Sequence, residues 1–250
     1  MSAALAAYTL RLGDDALVLA QRMGEWITAA PQLEEDVALG NIGLDLLGQA
    51  RSLLTYAGEL DGTGRTEDEL AYFRDERAFT NAQLCELPNG DFATSMARLL
   101  VFATYQRELY DRLSSSTDAM LAAIAAKAVK EVDYHRDHAT QWVVRLGDGT
   151  TESHRRMQAG LEVVWPFVGE LFESDELTRS IAAQGSGADP AQLWPAVDAY
   201  LDAVLTEATL QRPGTGYQHT GGRQGVHTEQ LGYLLAEMQH LARSHPGASW

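Results

Sequence analysis

Glu131, Asp133, His135, Asp137 and His138 fall close together in residues 127–146, KAVKEVDYHRDHATQWVVRL. Carboxylates interleaved with imidazoles are the side chains a protein uses to hold iron or zinc. A di-iron helical bundle needs a Glu on each of two helices and a Glu-x-x-His pair on each of two others. Here the acids are displaced from the useful positions. Three residues before His135 stands Val132, and three before His138 stands His135. What remains is Glu131, His135 and His138 at i, i+4 and i+7, on one face of a helix. Such a stripe holds a single metal only if a neighbouring helix completes the ligand set. The alternative is a polar network in which acids satisfy each imidazole, and the residues alone leave both readings open. Only one Glu-x-x-His exists in the chain, Glu237 with His240. A di-iron chelate needs two on facing helices, so this pair reads as a solvated helix face.

Three further groups invite attention. Asn41 and Asp45 lie one turn apart among Leu39, Ile42, Leu44, Leu46 and Leu47, so both are expected to be buried in a hydrogen-bond network, reaching Arg51 or His135. The segment 219–229, HTGGRQGVHTE, is rich in glycine and lacks the Gly-Lys-Ser/Thr ending of a phosphate loop. It is expected to be an ordered partner-docking loop through Gly221, Gly222, Arg223, His227, Thr228 and Glu229. Cys85 has no activating neighbour in sequence and is expected to be a buried, inert thiol.

Helical periodicity dominates the elements that must position these groups. Asp14 and Asp15 are predicted to open a first helix, with Ala16, Ala20, Met23 and Ile27 recurring at helical steps until Pro31. A second helix is predicted over about 34–60. Thr66 and Glu69 form a capping box for a third that closes before Pro88. Further helices are predicted over 92–113, 118–147, from Thr151 to a break at Pro166, over 191–210, and over 228–244, with 212–226 structureless. Long helices joined by short turns imply an all-α antiparallel bundle with extra helices. Neither a repeat nor a low-complexity linker interrupts residues 1–250, which implies a single domain.

Composition narrows the function classes. The longest apolar run, residues 119–126, is far short of the roughly 20 residues of a membrane span. The opening MSAALAAYTLRLGDD has no basic leader followed by a long apolar core, so no secretion signal is expected. One cysteine forms no internal disulfide and suits the cytoplasm. The net charge of −16 argues against nucleic acid and favours association with a less acidic partner. The basic residues are scattered apart from the pair Arg155 and Arg156, so an anionic ligand would need a local basic pocket, for which these two and Arg223 are the candidates.

Residues 33–51 (LEEDVALGNIGLDLLGQAR), 125–150 (AAKAVKEVDYHRDHATQWVVRLGDGT) and 220–241 (TGGRQGVHTEQLGYLLAEMQHL), with 90–100 (GDFATSMARLL) and Trp250, carry a family likeness. Over essentially its whole length the chain resembles the structural C subunits of bacterial phenylacetyl-CoA 1,2-epoxidases. These are ring-epoxidising multicomponent monooxygenases of the ferritin-like superfamily. The resemblance implies a ferritin-like bundle paired with a catalytic A subunit. That partner would hold the di-iron centre and epoxidise phenylacetyl-CoA with dioxygen and electrons from an NADPH-dependent reductase. It also implies that this chain carries no cofactor or metal and no catalytic residue. By analogy with the catalytic subunit, the former ligand positions are Glu25, Leu46, Gln49, Val132 and His135. With Asp45 they imply a vestigial, metal-free cluster. The competing reading is an independently active metal-dependent oxygenase or iron protein using Glu131, His135 and His138.

Overall fold

The computed structural model describes residues 2–214 and 216–248; Trp250, one of the residues carrying the family likeness, lies outside them. Ten α-helices and short 3-10 turns make up the regular structure, and no strand occurs among the described residues. The chain divides into two compact units, Met1–Pro88 with Thr220–Trp250, and Asn89–His219.

The first unit is built on α1 (Ser2–Gly24) and α2 (Leu33–Leu60). They run antiparallel and approach closely through glycine. A Cβ on Gly13 would sit 2.8 Å from the side chain of Leu54, and one on Gly43 would sit 3.2 Å from Met23 Cβ. Helix α1 begins twelve residues earlier than the acidic pair predicted. Leu5, Tyr8 and Leu12 recur at helical steps and are buried, and this apolar burial carries the helix back to Ser2. Asp14 and Asp15 therefore lie in the middle of a helix, almost wholly buried.

That displacement reshapes the next segment. Thr66 and Glu69 do form the expected reciprocal capping box, but α3 (Glu67–Tyr72) lasts six residues. The chain then passes through a 3-10 turn (Glu76–Ala78) to the single turn α4 (Gln83–Glu86). The continuous helix predicted from Thr66 to Pro88 is absent because α1 supplies other partners for its backbone. Asp14 Oδ2 accepts from Thr80 N at 2.8 Å and Asp15 Oδ1 from Ala82 N at 2.8 Å. A buried carboxylate holds an N–H better than a marginal helical turn does. The unit closes with α10 (Glu229–Ser244).

The second unit pairs α5 (Phe92–Leu113) with α6 (Ala119–Gly147), and both begin where the sequence placed them. Asp91 caps α5 through Thr94 N, and Asp118 caps α6 through Leu121 N, in each case satisfying an N–H with no intrahelical partner. Ion pairs from Arg107 to Asp133 and from Arg136 to Glu108 link the two helices along an exposed edge. Helix α7 (Thr151–Val164) lays Gly160 on the backbone of Thr94, where a Cβ would come within 2.9 Å. It gives way to a 3-10 turn at Trp165–Phe167, the break expected at Pro166. Helix α8 (Glu176–Ala183), capped by Asp175, is an element the sequence reading did not anticipate. Helix α9 (Trp194–Glu207) follows with Pro195 in its first turn.

Candidate functional site

The positions assigned by likeness to a di-iron site divide between the units. In the first, Glu25 stands just beyond α1 and accepts from Arg22 Nη1 at 2.7 Å. On α2, Leu46 is fully buried, Gln49 nearly so, and Asp45 half-buried. In the second, Val132 and His135 are both fully buried on α6.

The donor set does not fit a di-iron centre. Two irons need several anions to balance their charge, and Leu46 and Val132 are hydrocarbons with no lone pair to offer. Gln49 brings a neutral amide where an imidazole would stand. The alternative stripe fares no better as a preformed site. Helix α6 is continuous, so Glu131, His135 and His138 do share a face, but only His135 is buried, and Glu131 pairs with Lys127 at 3.3 Å. Glu237 and His240 both face solvent on α10. Among the described residues, no group of three or more His, Cys, Asp or Glu side chains is gathered as a ligand set.

The densest chemistry in the chain lies in the first unit, where residues 220–229 return to α1. Arg223 forms a two-pronged pair with Asp15, Nη1 to Oδ1 at 2.9 Å and Nη2 to Oδ2 at 2.8 Å, and donates to Thr80 O at 3.0 Å. Burial pushes the Asp15 carboxyl above its usual range, and the Arg223 guanidinium works against that shift. Beside it, Arg74 is paired with the fully buried Asp14. The His227 side chain is buried between two acceptors, Glu86 Oε2 at 2.9 Å from Nδ1 and Phe79 O at 2.9 Å from Nε2. Against a carboxylate and a carbonyl, both ring nitrogens can donate only as an imidazolium, the form this pair of acceptors favours. Burial acts to lower the His227 pKa, but the Glu86 carboxylate and the Phe79 carbonyl prevail and hold it above the ordinary value. Glu86 also accepts from Asn81 Nδ2 at 2.9 Å and from Thr228 N at 2.6 Å, and its backbone carbonyl accepts from Arg22 Nη2 at 2.7 Å.

The segment read as a docking loop is thus a strap across its own unit. Gly221 and Gly225 adopt positive φ, and a Cβ on Gly225 would lie 2.3 Å from Arg77 O. Arg223 and His227 point inward and bond to groups of their own unit. Of the other candidates for an anionic substrate, Arg155 and Arg156 both donate to Glu152, whose carboxyl is held down at about 2 by them. Cys85 is buried, as expected. The ion-pair core went unread in the sequence, although it left a signal: adjacent aspartates beside Leu12, Ala16 and Leu17 are buried if the helix continues through them, and buried charges need partners.

No helix among the described residues is long and apolar enough to cross a membrane. The chain matches the family described as phenylacetic acid catabolic protein over residues 1–250. It is 50% identical over 246 residues to the C subunit of the 1,2-phenylacetyl-CoA epoxidase of Escherichia coli (strain K12), covering 98% of this chain and 99% of that protein. The two likenesses extend from one end of the sequence to the other, so the chain belongs to the phenylacetic acid catabolic protein family, of ferritin-like all-α fold.

Proposed function

We propose that this chain is the structural subunit of a phenylacetyl-CoA ring epoxidase of aerobic phenylacetate catabolism. In this reading it binds no metal and supports a catalytic di-iron subunit, which performs the epoxidation with dioxygen and electrons delivered by a reductase. The supporting observation is the pair of fully buried hydrocarbons, Leu46 and Val132, at positions where ligand carboxylates would be required. The 50% identical relative, itself named as a subunit of such an epoxidase, supports the substrate and the heteromeric assembly. A buried free cysteine fits a cytoplasmic setting.

In a helical bundle stripped of ligands, the remaining role is mechanical. Such a subunit presents a rigid surface that stabilises its partner, and mass action makes the partner's stability depend on it. The test is to purify this chain alone and co-expressed with a catalytic oxygenase subunit of this kind of epoxidase, then count iron in each and assay phenylacetyl-CoA epoxidation. The expected result is iron only in the sample containing the second subunit, and turnover only when both chains are present. Stoichiometric iron retained by this chain alone after chelation would overturn the reading.

A further inference from the structure

Helix α2 turns one apolar face to solvent. Leu33, Val37, Leu44 and Leu47 are 74%, 57%, 66% and 39% exposed, and all lie within one narrow stripe of the helix. Gly40 and Gly48 lie on the same stripe, and a Cβ on either would meet nothing within 4 Å. The stripe runs about 21 Å along the helix axis at 1.5 Å per residue. It ends at Arg51, which is paired with Glu67, and Ile27 in the turn before the helix is also exposed, at 56%. Isolated exposed leucines need no explanation; four large apolar residues on one face of one helix mark an interaction site. The opposite face of α2 is the one that packs on α1, with Leu39, Ile42, Leu46, Leu53 and Leu54 buried.

The edges of the stripe say what covers it. Glu34 and Asp45 flank it on one side and Asp36 on the other, and the chain as a whole carries −16. A second copy of this chain would bring acid against acid. Gly40 and Gly48 leave shallow places along the ridge, so a side chain of an incoming helix can seat where a β-carbon would otherwise stand. Resting on the reading above, we propose that the α2 face is where the oxygenase subunit docks, through an amphipathic helix whose apolar ridge is flanked by Lys or Arg. The stripe forms the apolar centre of that interface, and the acidic edges set the register and speed the encounter. One helix face is smaller than the roughly 800 Å² per partner of a stable complex, so neighbouring surface completes the contact.

The variants Leu44→Glu and Gly48→Leu test this. Leu44 is exposed, a Cβ on Gly48 would meet nothing within 4 Å, and replacing a mid-helix glycine favours the isolated helix, so each chain should keep its helicity and its melting temperature. Each should bind the co-expressed oxygenase subunit at least about tenfold more weakly than wild type, as expected for residues at an interface centre. Wild-type association should also weaken as salt rises. Unchanged affinity in both variants overturns the inference and leaves the subunit reading intact. A wild-type chain that dimerises by itself, with Gly48→Leu monomeric, overturns it in favour of a second copy. Failure of the wild-type chain to bind the oxygenase subunit at all sinks both.

Discussion

His227 shows how much a single side chain can hold when both its nitrogens meet acceptors. Its ring ties the strap to Glu86 and to the Phe79 carbonyl, and only the protonated form donates both bonds to a carboxylate and a carbonyl. The folded pKa lies above the ordinary value of 6.5. A group raised on folding stabilises fully below its unfolded pKa, and that contribution disappears as pH rises through the folded pKa. Glu76 adds its field to that of Glu86, while the surrounding burial opposes both. Urea midpoints measured between about pH 6 and about pH 9 should therefore fall more steeply for wild type than for His227→Gln. Equal slopes for the two proteins would show that the ring does not carry the proton. Leu46 and Val132 make the complementary point: a site is also defined by what a side chain lacks.

At the scale of elements, the strap and the irregular segment between α3 and α5 form one construction. Asp14 and Asp15 on α1 hold the backbone at Thr80 and Ala82 and the guanidiniums of Arg74 and Arg223. Replacing either aspartate alone leaves a buried cation without its counter-charge, which makes these pairs determinants of register as much as of stability. Gly225 is the backbone counterpart, with φ of +74° and no room beside Arg77 O. Gly225→Ala should destabilise the protein by about 1–3 kcal/mol, seen as a lower urea midpoint. Faster amide exchange confined at first to residues 220–229 would identify the strap as the part released. A midpoint equal to wild type would show that the strap tolerates a β-carbon and is not the tight clasp described.

For the whole molecule, the governing quantity is the charge of −16. Like charges spread over a folded chain oppose compaction, and salt screens them while leaving the buried pairs nearly untouched. Raising ionic strength from about 0.01 M to about 0.15 M should raise the melting temperature of the isolated chain and weaken its association with a basic-flanked partner. Salt would thus act in opposite directions on the two measurements. Parallel movement of both would mean that surface ion pairs such as Arg107–Asp133 outweigh the net repulsion.

The sequence by itself determined the helical class, the starts of α5 and α6 at Asp91 and Asp118, the capping box at Thr66, the break at Pro166 and the absence of two Glu-x-x-His pairs. Those are local properties, set by caps, periodicity and residue chemistry within a few positions. Only the tertiary structure decided that Asp14 and Asp15 are buried counter-ions, that residues 220–229 fold back as a strap, and that one face of α2 is left open. Each of these depends on groups 60 to 208 residues apart or on which side of a helix its neighbours cover. A charge beside an apolar run announces that it needs a partner, but the fold alone supplies one.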